Sequence, residues 1–258
     1  MTSRDGTRLA AWRSGAGAPL VLVHGTTVNH SDWVTVLPEL RRRFTVYAMD
    51  RRGLGASDDT GVYTVEREFE DVAAVVDSVG QPASLLGHSF GALCSLEAAL
   101  LTANIRKLIL YEPPIPIAGG AEFHPPGLLE RIEALMAAGQ PDDVLATFLE
   151  EVAGQDPRRV ALQRGTPAWP ARVAAAHTVV REVHGTHFYT LRPERFHELH
   201  VPTLLLLGGA SPAKHVVATN AVAAALPNAC VVSLPGQMHI AMHTATRLFL
   251  DEVLRFLA

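Results

Sequence analysis

Six short, nearly continuous apolar runs, separated by longer amphipathic stretches, constrain this chain more than any other feature. They fall at residues 20–23, 44–49, 84–86, 108–111, 203–207 and 230–234. A strand covered by helices on both faces has no solvent side, so it loses the apolar–polar alternation of a half-exposed strand. Between the runs, 65–79 and 91–101 carry apolar residues at helical spacing. The tail 246–257 does the same through Leu248, Phe249, Val253, Phe256 and Leu257, and closes the domain. The pattern predicts an α/β fold with a mostly parallel, doubly wound sheet. With 258 residues, the chain suffices for one large domain or two small ones with a substantial core.

The rhythm breaks after Pro113. From there to Val201 no strand-like run occurs, and 128–138 and 144–152 read as amphipathic helices. Pro126-Gly127 and Pro141-Asp142 punctuate them, and Pro141 suits a helix start. A long helical insertion between two strands is the plan of a lid. The expected organisation is therefore a core of 1–113 and 201–258 with a helical cap over 114–200.

Composition excludes several classes. Apolar residues make up 48% of the chain, too many for disorder. Lys+Arg number 22 against 26 Asp+Glu, a net charge of −4, which argues against a phosphate-neutralising face and a nucleic-acid partner. The cluster Arg41-Arg42-Arg43 is expected to complement a helix C-terminus. The two cysteines, Cys94 and Cys230, lie in apolar surroundings and read as buried small hydrophobes in a reducing compartment. No segment approaches 18 uninterrupted apolar residues, and Met1–Gly6 lacks the run of a signal peptide. The expectation is a cytoplasmic monomer or homodimer with a small-molecule substrate and no membrane partner.

The chemistry concentrates at Gly87-His88-Ser89-Phe90-Gly91, a G-x-S-x-G directly after an apolar strand and before a helical pattern. A strand turning sharply into a helix strains its corner residue, and small neighbours relieve the clash. The Ser89 hydroxyl is then held above the sheet edge, with the Phe90 N–H at the helix start aimed where an oxyanion would form. Upstream, His24-Gly25-Thr26-Thr27 ends the first long run; the Thr26 N–H is a second candidate oxyanion donor, and His24 reads as a turn stabiliser. The loop from Asp50 to Asp58, with Asp50 and Arg52 pairing or bonding to backbone, is expected to shape the fold.

These segments, together with Gly236-Gln237-Met238-His239 near the end, resemble the α/β-hydrolase fold family over essentially the whole chain. The resemblance implies a helical cap inserted after the strand that the family counts as its sixth, and a Ser…acid…His triad with His239 as general base. His239 stands out from the residues too, since it follows the run 230–234 on a loop begun by Pro235-Gly236. His243, one helical turn later, reads as packing or surface polarity.

The acid departs from the family's commonest pattern, an Asp after the strand matching 203–207. Here that loop reads Gly208-Gly209-Ala210-Ser211-Pro212, and no Asp or Glu occurs between Val201 and Leu250. A histidine without a carboxylate loses control of its tautomer. Glu112 follows the run 108–111 immediately, at the kind of strand end where α/β sheets gather their sites. Some cap-bearing relatives, including certain haloalkane dehalogenases, carry their acid there. Glu112 is therefore either the triad acid or a residue that caps its loop or pairs with a lid arginine.

The resemblance implies a cofactor-free serine hydrolase acting on a small carboxylic ester or related acyl compound. Cleavage of a C–C bond, a lactone or perhydrolysis stays open, as does a non-hydrolytic lyase or ligand-binding role. Serine at the elbow disfavours haloalkane dehalogenation and epoxide hydrolysis, which need a carboxylate there. Trp33, His88, Phe123, Phe148, Trp169 and Phe188 are the expected pocket residues. His177, His184 and His187 lack the spacing of a metal site, and no dinucleotide fingerprint occurs, so neither metal nor cofactor is expected.

Overall fold

The computed structural model describes residues 1–120 and 123–258. Seven strands, β1 (Ala11–Ser14), β2 (Ala18–Val23), β3 (Phe44–Met49), β4 (Ala83–His88), β5 (Ile105–Tyr111), β6 (Thr203–Gly208) and β7 (Ala229–Leu234), form one sheet. Their order is β1-β3-β2-β4-β5-β6-β7, parallel throughout except that β1 runs antiparallel to β3. The expected strands are all present, several longer by a few residues. The additional one, β1, is a four-residue edge strand with polar Arg13 and Ser14, too short and too exposed to read as a buried run. In chain order the insertion therefore follows the fifth strand.

Helices cover both faces. α2 (Val65–Ser78), α3 (Phe90–Ala98) and α9 (Ala213–Ala225) pack through Phe69, Val72, Leu93 and Val222 onto Val21, Leu85 and Leu110. On the other face, α1 (Leu37–Leu40), α10 (Ala241–Thr244) and α11 (Thr246–Leu257) pack through Leu40, Met242, Phe249 and Val253 onto Leu20, Leu86 and Leu206. Because side chains of one strand alternate between these two clusters, both layers need apolar residues, which produces the unbroken runs.

The chain passes from β2 outward to β3, then returns across β2 to β4. That reversal opens a crevice at the carboxyl ends of β2 and β4, where open α/β sheets bind their ligands. His24-Gly25-Thr26 leaves β2 there, and Ser89 leaves β4.

Between β5 and β6 lie α4 (Leu128–Ala137), α5 (Pro141–Thr147), a π-type turn (Phe148–Val152), α6 (Pro157–Arg164), α7 (Trp169–Ala174) and α8 (Ala176–Phe188). Two small apolar clusters hold them, one around Ile132, Val144 and Val179, the other around Leu145, Leu149, Val160 and Trp169. The helix expected over 144–152 begins earlier, at Pro141, and gives way to the π-type turn at Phe148.

One expectation about a single residue needs correction. Cys230 is exposed, because β7 is an edge strand with one side toward solvent; Cys94 is buried in α3. The cluster Arg41-Arg42-Arg43 follows α1, with Arg41 at its C-cap, and Arg42 and Arg43 also reach Glu39 at 3.2 and 3.5 Å. Among the described residues no helix is long and apolar enough to cross a membrane.

Candidate active site

The turn from β4 into α3 is built around close backbone approach. A Cβ on Gly87 would stand 2.4 Å from the Gly91 carbonyl oxygen, and one on Gly91 would stand 2.4 Å from the His24 carbonyl oxygen. Both motif glycines are therefore demanded by neighbouring chain, one by its own helix and one by the end of β2. Ser89 between them sits at φ 54°, ψ −126°. Three non-glycine residues among those described have positive φ: Thr27 (67°), Ser89 (54°) and Glu112 (47°). Each costs on the order of 1–3 kcal/mol, and such strain gathers at functional sites.

Glu112 leaves β5 and is fully buried. Its Oε2 accepts a hydrogen bond from His239 Nδ1–H at 2.6 Å. Its Oε1 accepts two more, from the Gly208 N–H at 2.7 Å and the Ser211 hydroxyl at 2.5 Å. Burial alone would raise the carboxyl; the His239 hydrogen bond, the facing imidazoles and Ser211 outweigh it and hold its pKa at about 2. Of the two roles open to Glu112, the contact with a lid arginine is not made among the described residues.

The loop bearing His239 is fastened at four points. His88 Nε2–H donates to the His239 carbonyl at 2.8 Å. The Tyr111 hydroxyl donates to the Met238 carbonyl and accepts from the Ala241 N–H at 3.1 Å. Thr35 donates to the Met242 carbonyl at 2.8 Å, and His243 Nε2 meets Asp32 at 3.0 Å. His243 is thus a loop anchor, and its bond to Asp32 raises its pKa. The half-buried Ser89 hydroxyl forms no capping bond within its helix and none with His239. Hydrogen bonds of this kind are often long in a resting site and tighten with substrate bound.

The N–H groups of Thr26 and Phe90 donate to no carbonyl among the described residues. Beneath them, His24 is buried and neutral: its Nδ1–H donates to the Gly25 carbonyl at 2.8 Å and its Nε2 accepts from the Arg51 N–H at 3.1 Å. The buried Arg51 guanidinium donates to the His24 and Gly25 carbonyls at 3.1 Å each and to Glu68 and Glu182 at 3.2 and 2.8 Å. Because Glu182 belongs to α8, this cation joins the helical segment to the floor of the His24–Thr27 loop. Asp50 and Arg52 do not pair with each other. Asp50 accepts from the His30 and Ala56 N–H groups at 2.8 and 2.9 Å, and Arg52 clasps Asp71 through two bonds of 2.6 and 2.7 Å.

The expected pocket residues scatter. His88 lies against the site, its ring 4.7 Å from that of His239, and Trp33 packs edge-on to His88 at 6.5 Å, wholly buried. Phe123 meets the ring of His215 at 5.4 Å, and His215 in turn lies 4.8 Å from His239. Phe148 and Trp169 instead fill the interior of the helical segment, with Trp169 Nε1 donating to Asp142 at 2.5 Å. Phe188 is exposed and borders a separate groove of about 820 Å³ with Tyr63, Glu97 and Arg195. A helical sequence pattern cannot tell an aromatic that faces the sheet from one that fills its own bundle.

Two residues beside the site had no sequence signal. His215, in the first turn of α9, directs Nδ1 at Glu112 Oε2 from 3.6 Å. Arg172, on α7, donates to the Thr27 carbonyl at 3.1 Å and hydroxyl at 2.6 Å. His177 and Asp59 pair at 3.0 Å, and His184 and His187 both pack on Phe188, at 4.7 and 4.8 Å.

Residues 20–252 match the model of the alpha/beta hydrolase family, and the chain belongs to that family. An alpha/beta hydrolase from Sphaerobacter thermophilus DSM 20745 superposes with a TM-score of 0.87 at 36% identity, over 100% of this chain and 99% of that one. The soluble epoxide hydrolase of Corynebacterium sp. strain C12 is 31% identical over 152 residues, 57% of this chain and 53% of the relative. A 2-hydroxy-6-oxo-2,4-heptadienoate hydrolase of Pseudomonas putida is 37% identical over 103 residues, 37% of each chain. The matched part spans about half the length of the first of these relatives and little over a third of the second.

Proposed function

We propose that this protein is a cofactor-free serine hydrolase of small carboxylic esters or related acyl compounds. In this reading Ser89 Oγ attacks the carbonyl carbon while His239 Nε2 takes the hydroxyl proton. The carbonyl electron pair moves onto oxygen, where the N–H groups of Thr26 and Phe90 receive the negative charge. Collapse expels the alkoxide, which takes the proton back from His239. Water then repeats the cycle on the acyl-enzyme and frees Ser89. Glu112 keeps the His239 proton on Nδ1 and stabilises the imidazolium.

The observation that carries the reading is the 2.6 Å hydrogen bond between His239 Nδ1 and a buried carboxylate whose other oxygen is already filled. Epoxide opening, the activity in one relative's name, needs a carboxylate where this chain has Ser89. Hydrolytic C–C cleavage is the second reading, favoured by the 37% identity to the heptadienoate hydrolase, and uses the same three side chains.

The test is turnover of chromogenic short-chain esters beside labelling by a fluorophosphonate probe. Ser89→Ala is expected to remove both turnover and labelling while leaving the melting temperature in place. Wild-type rates in that variant would sink the mechanism. Labelling of Ser89 with no ester turnover would move the assignment to the C–C reading.

A further inference from the structure

Glu112 draws more nitrogen donors than a triad uses. With Oε1 filled by Gly208 and Ser211, Oε2 is the oxygen that faces the histidines. Two imidazole Nδ1 atoms converge on it, His239 at 2.6 Å and His215 at 3.6 Å. One ligand atom from each of the three residues lies within 4.8 Å of the others. The His215 side chain is only 8% exposed, and its Nδ1 has no hydrogen-bond partner. A buried imidazole nitrogen left unpaired is costly, so its orientation toward a second imidazole and a carboxylate calls for an explanation.

The two rings lie 4.8 Å apart and 31° from parallel, and both bring Nδ1 to the same carboxylate oxygen. The neighbouring Lys214 ammonium points elsewhere, donating to the Phe123 and Val152 carbonyls at 3.0 and 3.5 Å. Two imidazoles and a carboxylate are a donor set that borderline divalent ions select. Bonds of about 2.0–2.2 Å place tetrahedral ligand atoms roughly 3.3 Å apart. The spacing from Glu112 to His215 fits that already; His239 needs to retreat from Glu112 by less than about 1 Å, and the two imidazole nitrogens, within 4.8 Å of each other, need to close toward the same spacing.

We propose that Glu112, His215 and His239 form an inhibitory site for a divalent transition-metal ion, for which Zn²⁺ is the probe. The inhibitory role rests on the reading of His239 as general base. The ion replaces the hydrogen bond between His239 and Glu112 and is coordinated through the imidazole's Nδ1. The neutral ring keeps one proton, now on Nε2, so it can no longer take the proton of Ser89. No electron moves and no proton need leave the ring; the change is one of tautomer.

Zn²⁺ binding is measured by calorimetry on the wild type and on Ser89→Ala, and ester hydrolysis is followed over the same range of buffered Zn²⁺. The expected result is one site per chain in both proteins, with half-inhibition of the wild type at the concentration that half-fills it. His215→Phe keeps a ring against His239 and removes the ligand; His215→Gln keeps polarity and guards against a folding failure of the first. In each, affinity should fall by about tenfold or more, and half-inhibition, taken relative to the variant's own zinc-free rate, should move by the same factor. Mg²⁺, a hard ion, should neither bind nor inhibit. Zinc affinity unchanged in both His215 variants, or no binding by the wild type, overturns the site. Binding without inhibition overturns the inhibitory role. Hydrolysis persisting in Ser89→Ala would instead defeat the serine mechanism, while calorimetry still reads the metal site.

Discussion

The Ser211 hydroxyl donates to Glu112 Oε1 at 2.5 Å, so the residue standing where the family's usual acid belongs steadies a carboxylate supplied by the neighbouring strand. β5 and β6 are hydrogen-bonded side by side, with Tyr111 opposite Leu206, and the Glu112 N–H continues the ladder to the Leu206 carbonyl at 3.2 Å. Their carboxyl ends therefore open on the same space. A carboxylate can leave either strand and approach the same imidazole, provided the vacated position does not repel it. A hydroxyl at 211 meets that condition and adds a hydrogen bond.

Glu112→Gln should accordingly lower kcat by about 10³–10⁴ and, because the native state favours the ionised carboxyl, lower the melting temperature by several degrees. The amide oxygen can still accept from Gly208 and Ser211, but His239 loses the anion that fixes its tautomer. Adding Ser211→Asp should return at least about tenfold of that loss by restoring the carboxylate from the other strand. Steady-state kinetics on the single and double variants checks both. A Glu112→Gln enzyme with the wild-type rate removes Glu112 from the mechanism.

Tyr111→Phe tests the fastening of the His239 loop. The hydroxyl it deletes serves Met238 and Ala241, on either side of the histidine. Losing it leaves a carbonyl and a buried N–H unpaired, a cost of about 1–3 kcal/mol. The expectation is a melting temperature lower by several degrees and a kcat reduced by about tenfold with little change in KM, because the imidazole is displaced while the pocket keeps its shape. A fall in stability with kcat intact would confine Tyr111 to packing.

Much of the fold, and the residues at the centre of the candidate site, are legible in the sequence. The parallel strands announce themselves because both faces of each are buried, and the Ser89 turn because two glycines have no room for a Cβ. Glu112 is readable because strand ends gather sites and its rival loop lacks an acid. His215 is not, since nothing local distinguishes it among twelve histidines; its place beside Glu112 and His239 comes from α9 packing beside β6. Trp169 and Phe188 failed for the opposite reason: their helical spacing is real, but Trp169 faces the interior of its own bundle and Phe188 solvent.

Arg172 ties α7 to the oxyanion loop without a carboxylate partner among the described residues. Its guanidinium holds both the carbonyl and the hydroxyl of Thr27, a β-branched residue at φ 67°. Such a backbone persists only where neighbours over-determine it. Arg172→Ala should let Thr27 relax and the adjacent Thr26 N–H swing off its aim. The expected outcome is a loss of about tenfold in kcat/KM and a melting temperature lower by a few degrees, with Arg172→Lys recovering little because it cannot span both acceptors. Unchanged kinetics would make this contact a purely structural tie.

Acidification should destabilise the protein well above the range where carboxylates titrate. Burial, then Arg51, holds the His24 pKa at about 3; burial, then His239, does the same for His88 and His215; burial, then Lys214, holds His124 at about 4. The unfolded chain protonates these groups near 6.5, so between that value and 3–4 it binds more protons than the native state, and stability falls as pH falls. At pH 5 each amounts to about 2 kcal/mol relative to pH 7. Glu68 works the other way: burial raises it to about 7, so the native state takes up its proton before the unfolded chain does. Over the same interval it returns about 2 kcal/mol, less than the four histidines together. The melting temperature should therefore drop by about 10 °C between pH 7 and pH 5. Glu68→Gln removes the compensation, so its profile should fall more steeply between pH 7 and pH 5. Calorimetric scans of both proteins across that interval decide the matter, and a melting temperature that rises toward pH 5 would mean these histidines accept protons in the folded state.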